Sequence, residues 1–254
     1  MLRIRVIPCL QLVEESLVKT IRFGDPGYIG DPINTVRIFN ELEVDELCFL
    51  DIRATLEKRP PNFKILREIA DECFMPLSYG GGVDDSETAK KILSIGFEKI
   101  ILNTAAIENP FLVSEIANHS GNQSVLVSID IKRNLWGNYQ VYSHCGTKRQ
   151  NHNPVDLAKT MEDFGAGELL VTSMDRDGTW TGYDIDILKK ISDAVNIPVI
   201  ANGGAGKLDH IDEIISKTNI SAVALGSMVV YQKKGMGVLV NFPDRNLLEA
   251  ALKI

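Results

Sequence analysis

Apolar residues gather in eight short, nearly unbroken runs along this chain, at positions 4–10, 46–51, 75–79, 99–103, 124–130, 168–174, 197–202 and 222–227. Most are too continuously apolar to be strands with one face in water, so they predict strands of a parallel sheet buried on both sides. Between them lie amphipathic stretches with legible helix starts. Asp31-Pro32, Asn109-Pro110 and Asn153-Pro154 each place a capping side chain before a proline suited to the first helical position. Gly165 and Gly167 punctuate the end of one such helix.

The pattern repeats. Glu46 and Glu168, Pro76 and Pro198, and Gly82 and Gly204 are each 122 positions apart and sit in similar surroundings. Two equivalent halves of alternating strands and helices predict a duplicated half-barrel, and the pair makes a single (β/α)8 TIM barrel of eight strands and eight helices. The length of 254 residues matches one such barrel, so positions 1–254 are read as one domain. The longest connections, 11–32 and 132–154, read as irregular loops in equivalent places of the two halves, overhanging the catalytic face.

Composition narrows the function. A net charge of −7 argues against a general nucleic-acid binder, although Lys132-Arg133 and Lys148-Arg149 suit either an anionic substrate or a solvated loop. No run reaches membrane-spanning length, and the first residues lack a signal-peptide core before Pro8, which predicts a cytoplasmic protein without a membrane partner. Cys9, Cys48, Cys73 and Cys145 form no CxxC pair and are read as reduced core thiols. His119, His144, His152 and His210 show no zinc-ligand spacing, so no metal or cofactor is expected.

In a (β/α)8 barrel, chemistry sits at the carboxyl ends of the strands. That rule selects Gln11, Asp51, Gly82, Asn103, Asp130, Thr172, Asp177, Gly204 and Ser227. Gly80-Gly81-Gly82 admits an anion close to the backbone, and Asp84-Asp85-Ser86 opens a helix whose amino terminus favours phosphate. Asn103 and Thr104 add an amide and a hydroxyl, and Gly203-Gly204 with Gly226-Ser227 repeats the arrangement in the second half. A barrel roughly 15 Å across places the two cradles on opposite sides, which favours an elongated substrate with a phosphate at each end. Asp130 is the candidate acid/base, preferred to a structural salt bridge because of its place at a strand end. Lys19 suits a developing negative charge or a phosphate. Thr172 and Asp177 suit substrate hydroxyls, although 175–178 also reads as a turn.

Tyr28-Ile29-Gly30-Asp31-Pro32, Phe49-Leu50-Asp51-Ile52, Tyr79-Gly80-Gly81-Gly82, Asn103-Thr104-Ala105-Ala106, Asp175-Arg176-Asp177-Gly178-Thr179 and Gly203-Gly204-Ala205-Gly206-Lys207 together resemble the HisF family, the cyclase subunit of imidazole glycerol phosphate synthase. The resemblance spans nearly the whole chain. It implies a docked HisH-like glutaminase partner, ammonia passing along the barrel axis, and amination of a phosphorylated ribulosyl substrate followed by cleavage and ring closure. It also implies that Arg5, Glu46, Lys99 and Glu168, at the starts of four strands, form a salt-bridged gate to the ammonia channel. On the residues alone they read as a stabilising bridge.

Two positions depart from the family pattern. Where the family has an aspartate paired with the second aspartate across the site, this chain reads Pro8-Cys9-Leu10-Gln11; where a glycine follows the loop lysine, it reads Lys19-Thr20. Gln11 exchanges no proton near neutral pH, so a two-carboxylate cyclisation is in question. These departures, with Leu17-Val18-Lys19-Thr20, Pro61-Asn62-Phe63 and Glu72-Cys73-Phe74-Met75-Pro76-Leu77, resemble a paralogous HisF-like group that helps convert an acetamido to an acetamidino group in surface-polysaccharide (lipopolysaccharide) synthesis. The first reading is therefore an ammonia-using synthase subunit of that type, and the second is the histidine-pathway cyclase. A non-catalytic scaffold that activates the glutaminase is the third: Gln11 speaks for it, Asp130 and Lys19 against.

Overall fold

A computed structural model describes residues 4–252. All eight apolar runs become parallel strands: β1 (Arg5–Val13), β2 (Leu47–Asp51), β3 (Leu77–Gly80), β4 (Lys99–Leu102), β5 (Val125–Arg133), β6 (Glu168–Ser173), β7 (Val199–Asn202) and β8 (Ala222–Leu225). Each pairs with the next, and β8 returns to β1 with Ala222 opposite Arg5, so the barrel closes. The outer layer consists of helices such as Phe63–Glu72, which buries Ile65, Leu66 and Ile69 against the strands. No helix among the described residues is long and apolar enough to cross a membrane.

The 122-residue offset carries into the elements. It maps Pro32–Glu41 onto Pro154–Asp163, Leu77–Gly80 onto Val199–Asn202, and Ser86–Ile95 onto Leu208–Lys217. Asp31 and Asn153 cap the first pair as expected, accepting from the amides of Asn34 and of Val155 and Asp156. Asn109-Pro110 behaves differently: Asn109 closes the preceding turn Thr104–Glu108, its amide donating to the Ala105 carbonyl. The next helix therefore begins at Phe111, with Pro110 in the capping position.

The two long connections are not irregular. β1 runs on to Val13 and turns into an antiparallel hairpin with Ser16–Lys19, which pairs with Gly27–Gly30. β5 likewise runs to Arg133 and folds onto Tyr139–Ser143 and Lys148–Arg149. Polar residues on these strands mask them in the sequence, because one face of each hairpin meets water or the cavity rather than a helix. Lys132-Arg133 and Lys148-Arg149 lie on this second hairpin; Arg133 pairs with Asp184 and Lys148 with Glu108, and none of the four lines the cavity.

Inside the barrel, the two-residue period of a strand sorts chemistry by height. From bottom to top, β1 presents Arg5, Ile7, Cys9 and Gln11; the β2 line Glu46, Cys48 and Leu50; the β4 line Lys99, Ile101 and Asn103; and β6 Glu168, Leu170 and Thr172. The middle tier, with Leu126, Ile200, Ala222 and Ala224, is a separate apolar cluster. Charge thus lies below, a dry apolar band in the middle, and polar groups above.

Candidate active site

Above the apolar band, the carboxyl ends of the strands enclose a cavity of about 860 Å³. Gln11, Lys19, Asp130, Gly81, Gly82, Asn103, Thr104, Thr172, Asp177, Gly178, Gly203, Gly204, Gly226 and Ser227 all line it. The strand-end rule therefore brings every selected position to one place.

Asp130 is 8 % exposed, and burial pushes its carboxyl up from 3.8 to about 7. Hydrogen bonds from Ser128, at 3.2 Å, and Thr172 favour its ionised form, and the charge of Asp177 opposes it. No cation is within ion-pairing distance of Asp130 among the described residues, so the structural salt-bridge reading finds no partner. A carboxyl that ionises near neutral pH can accept or give a proton under working conditions.

Opposite it, four residues form a buried chain in which each proton has one assignment. Lys19 Nζ donates to Asp177 Oδ1 at 2.6 Å, and the Thr20 hydroxyl donates to Asp177 Oδ2 at 2.9 Å. With its proton spent, Thr20 Oγ1 accepts from Gln11 Nε2 at 3.2 Å, while the Thr20 amide donates to Gln11 Oε1 at 2.9 Å. This fixes the orientation of the Gln11 carboxamide, whose second N–H has no protein partner in these contacts. Asp177 is at once a turn residue, its amide donating to the Ser173 carbonyl, and the anchor of Lys19.

The two glycine clusters are shaped by close backbone approach. Gly81 has φ of +125°, and a Cβ there would stand 2.5 Å from the Asp51 carbonyl oxygen; at Gly204, φ of +107°, it would stand 2.1 Å from the Gly182 oxygen. Only glycine fits either place. Lys19 leans over the second cluster, its Cε 3.0 Å from where a Gly226 Cβ would be. Asn103 faces the cavity, but its amide nitrogen donates to the carbonyls of Ser128 and Tyr142 and so ties β4 to β5 and its hairpin. Nor is the helix after the first cluster an open anion site: the Asp85 side chain accepts from the Thr88 amide and hydroxyl in its first turn.

At the bottom, the four charges form a closed alternating ring. Arg5 reaches Glu46 at 2.9 Å and Glu168 at 3.1 Å, and Lys99 reaches the same two carboxylates at 3.0 and 3.3 Å. Burial works against the Arg5 charge, but Glu168 and Glu46 hold its pKa above the usual arginine value. Two cations and two anions compensate one another where any one alone would be costly.

Several cavity residues escaped sequence reasoning. Arg59 binds Asp51 through two nitrogens, at 2.8 and 3.0 Å, and locks the loop after β2. Cys145 is not a core thiol; it is partly exposed, lines the cavity, and is pushed up to about 12 by burial together with Asp130 and Asp51. Cys73 is also only partly buried, whereas Cys9 and Cys48 meet inside the barrel with sulfurs 3.7 Å apart on adjacent strands. His144, whose amide donates to Thr104 Oγ1, also lines the cavity. His144 and Cys145 both sit in the turn between Tyr139–Ser143 and Lys148–Arg149 with positive φ, 52° and 53°, so no strand period in the sequence places them.

The family described as histidine biosynthesis protein matches residues 5–235. The chain is 49% identical over 251 residues to a Leptospira borgpetersenii protein provisionally named imidazole glycerol phosphate synthase subunit HisF, covering 98% of this chain and 99% of that one. It is 46% identical over 249 residues to a Pseudomonas aeruginosa protein with the provisional name subunit hisF2, at the same coverage. A Vibrio vulnificus protein provisionally named subunit hisF3 is 40% identical over 255 residues, covering 100% of this chain and 98% of that one.

Proposed function

Because the chain belongs to the histidine biosynthesis protein family, and within it to the HisF family of synthase subunits, we propose that it takes ammonia from a glutaminase docked on the amino-terminal face and adds it to a phosphorylated, sugar-type substrate in the upper cavity. The observation that carries this reading is the vertical order of one set of strands: a charged ring, an apolar band, and a proton-exchanging carboxylate above it. Neutral ammonia crosses an apolar band that ammonium does not, because desolvating a charge is far costlier than desolvating a small amine. Once the amine attacks its electrophile it must lose a proton, and Asp130, ionising near neutral pH, is placed to take it. The glycine clusters and Lys19 hold the substrate's anionic ends in this reading.

Two substrates fit. The names of the relatives support the imidazole glycerol phosphate reaction: amination, cleavage and ring closure of a ribulosyl intermediate. Gln11 supports conversion of an acetamido to an acetamidino group, in which ammonia adds to an amide already activated at its oxygen and that oxygen departs with the activating group; the step needs one base and a donor aimed at the departing oxygen rather than two carboxylates. The purified protein, given ammonium salts and the histidine-pathway ribulosyl substrate, separates them. Robust turnover establishes cyclisation and removes the amidine reading; absence of turnover, with amidine formation on an acetamido sugar activated at its amide oxygen when a glutaminase is present, establishes the other. Loss of both with intact stimulation of glutaminase would leave the scaffold role.

A further inference from the structure

Of the four lysine and arginine side chains that line the upper cavity among the described residues, two are neutralised by the protein itself. Lys19 is paired with Asp177, and Arg59 with Asp51 and Glu57. Arg53 is different. It lines the cavity and is only partly exposed, yet its guanidinium has no ion pair and no hydrogen bond among the described residues. Asp51 is not available to it: those carboxylate oxygens already accept from the amides of Arg53 and Ala54 and from two nitrogens of Arg59. Lys58, at the other end of the short helix Ala54–Glu57, also lines the cavity without an acid partner among the described residues.

These cations lie beside the first glycine cluster. A Cβ on Gly82 would stand 3.0 Å from the Ala54 Cβ and 2.6 Å from the Arg59 carbonyl oxygen, and one on Gly81 would meet Asp51, so the glycine loop rests directly on the segment that carries Arg53 and Lys58. The Arg53 charge also reaches across the cavity, where it favours ionisation of the Cys145 thiol. A half-buried guanidinium with five unmet donors is a ready partner for a phosphoryl group, which it grips with two parallel bonds.

Resting on the reading of the glycine cluster as a phosphate cradle, we infer that Arg53, with Lys58, adds a second phosphoryl position to it, so that this end of the cavity takes a diphosphate rather than a phosphomonoester. The second cluster, beside Gly204 and Ser227, has Lys19 and Arg176 near it, but Lys19 is paired with Asp177, and Arg176 does not line the cavity and donates to the carbonyls of Thr181 and Gly182, so no free cation among the described residues marks a second phosphoryl position there. The substrate class is then a diphosphate-linked molecule, as in a nucleotide-activated sugar.

Inorganic pyrophosphate and inorganic phosphate, titrated calorimetrically at matched ionic strength, test this without knowledge of the substrate. The wild type should bind pyrophosphate at least about tenfold tighter than phosphate, as charge-assisted bonds to a second phosphoryl group require. Arg53→Ala should bring that ratio to within about twofold while phosphate affinity changes little, Arg53→Lys should keep part of it, and Ser227→Ala should leave it unchanged. A ratio that survives Arg53→Ala, equal affinities in the wild type, or a ratio lost in Ser227→Ala instead would each overturn the proposal while leaving phosphate binding intact. Binding of neither anion would remove the cradle and the diphosphate site together.

Discussion

Asp130→Asn isolates the most consequential charge in the cavity. The wild-type carboxyl sits at about 7 in the fold against 3.8 in the open chain, because burial penalises its ionised form. The native state therefore holds a proton that the unfolded chain has released throughout this interval, and stability falls as pH rises from about 4 to about 7. Just over three units at 1.36 kcal/mol each makes the full loss about 4 kcal/mol, an upper figure because water and local relaxation soften a buried charge. Asparagine has nearly the same shape, keeps an oxygen for the Ser128 hydroxyl, and does not titrate. Urea unfolding of both proteins at pH 5, 6, 7 and 8 gives the difference in stability, from which all other titrating groups cancel. That difference should move against the wild type by about 2 kcal/mol in all between pH 5 and 7, with the slope halving near pH 7, and level off by pH 8. A difference that is flat across the range, or that moves in the opposite direction, would show that Asp130 ionises like an ordinary surface carboxylate and would remove the reason to treat it as the base.

Three further outcomes are expected. Lys99→Leu opens the ring that Lys99 closes between Glu46 and Glu168, so coupling of glutamine hydrolysis to product should change while turnover with added ammonium salts stays largely intact; equal loss with both nitrogen sources would make Lys99 structural. Crystals soaked in phosphate should show anions near Gly82 with Thr104 and near Gly204 with Ser227, and empty density at both in high phosphate would refute the cradles. Gly81→Ala should destabilise the protein by more than about 1 kcal/mol by thermal melting, since φ of +125° is joined to a contact of 2.5 Å with the Asp51 backbone; an unchanged midpoint would mean the loop is slack.

What was legible from the residues, and what was not, follows the range of the forces involved. Strands such as Val199–Asn202 announce themselves because burial on both faces makes them apolar throughout, and the caps at Asp31 and Asn153 because their bonds span two or three residues. The hairpins after β1 and β5 are hidden by polar residues, because one face of each meets water or the cavity rather than a helix. Pairings across the barrel, Asp51 with Arg59 apart, join residues far apart in sequence: Lys19 to Asp177 and Glu46 to Lys99 are visible only once the sheet has closed.

The two positions where this chain departs from the pattern of its family turn out to be one feature. Gln11 and Thr20 are hydrogen-bonded to each other twice, at 2.9 and 3.2 Å, and Thr20 has already given its hydroxyl proton to Asp177. An aspartate at position 11 is one methylene shorter than the glutamine, so its carboxylate is drawn back from the Thr20 amide and hydroxyl that hold the Gln11 carboxamide, and position 20 stays filled by a side chain anchored to Asp177 and placed for the longer residue. Gln11→Asp alone should therefore restore little cyclisation of the histidine-pathway substrate, whereas Gln11→Asp with Thr20→Gly should restore much more, because the double variant removes both halves of an arrangement built around the longer carboxamide. General acid/base catalysis is typically worth about 10² to 10⁴-fold, which leaves room to see the difference. The coupling is measured as the departure of the double variant from the product of the two single effects in initial rate with ammonium salts. Strictly multiplicative effects would mean that the two substitutions act independently, and the hydrogen bonds between them would then have no part in setting the chemistry.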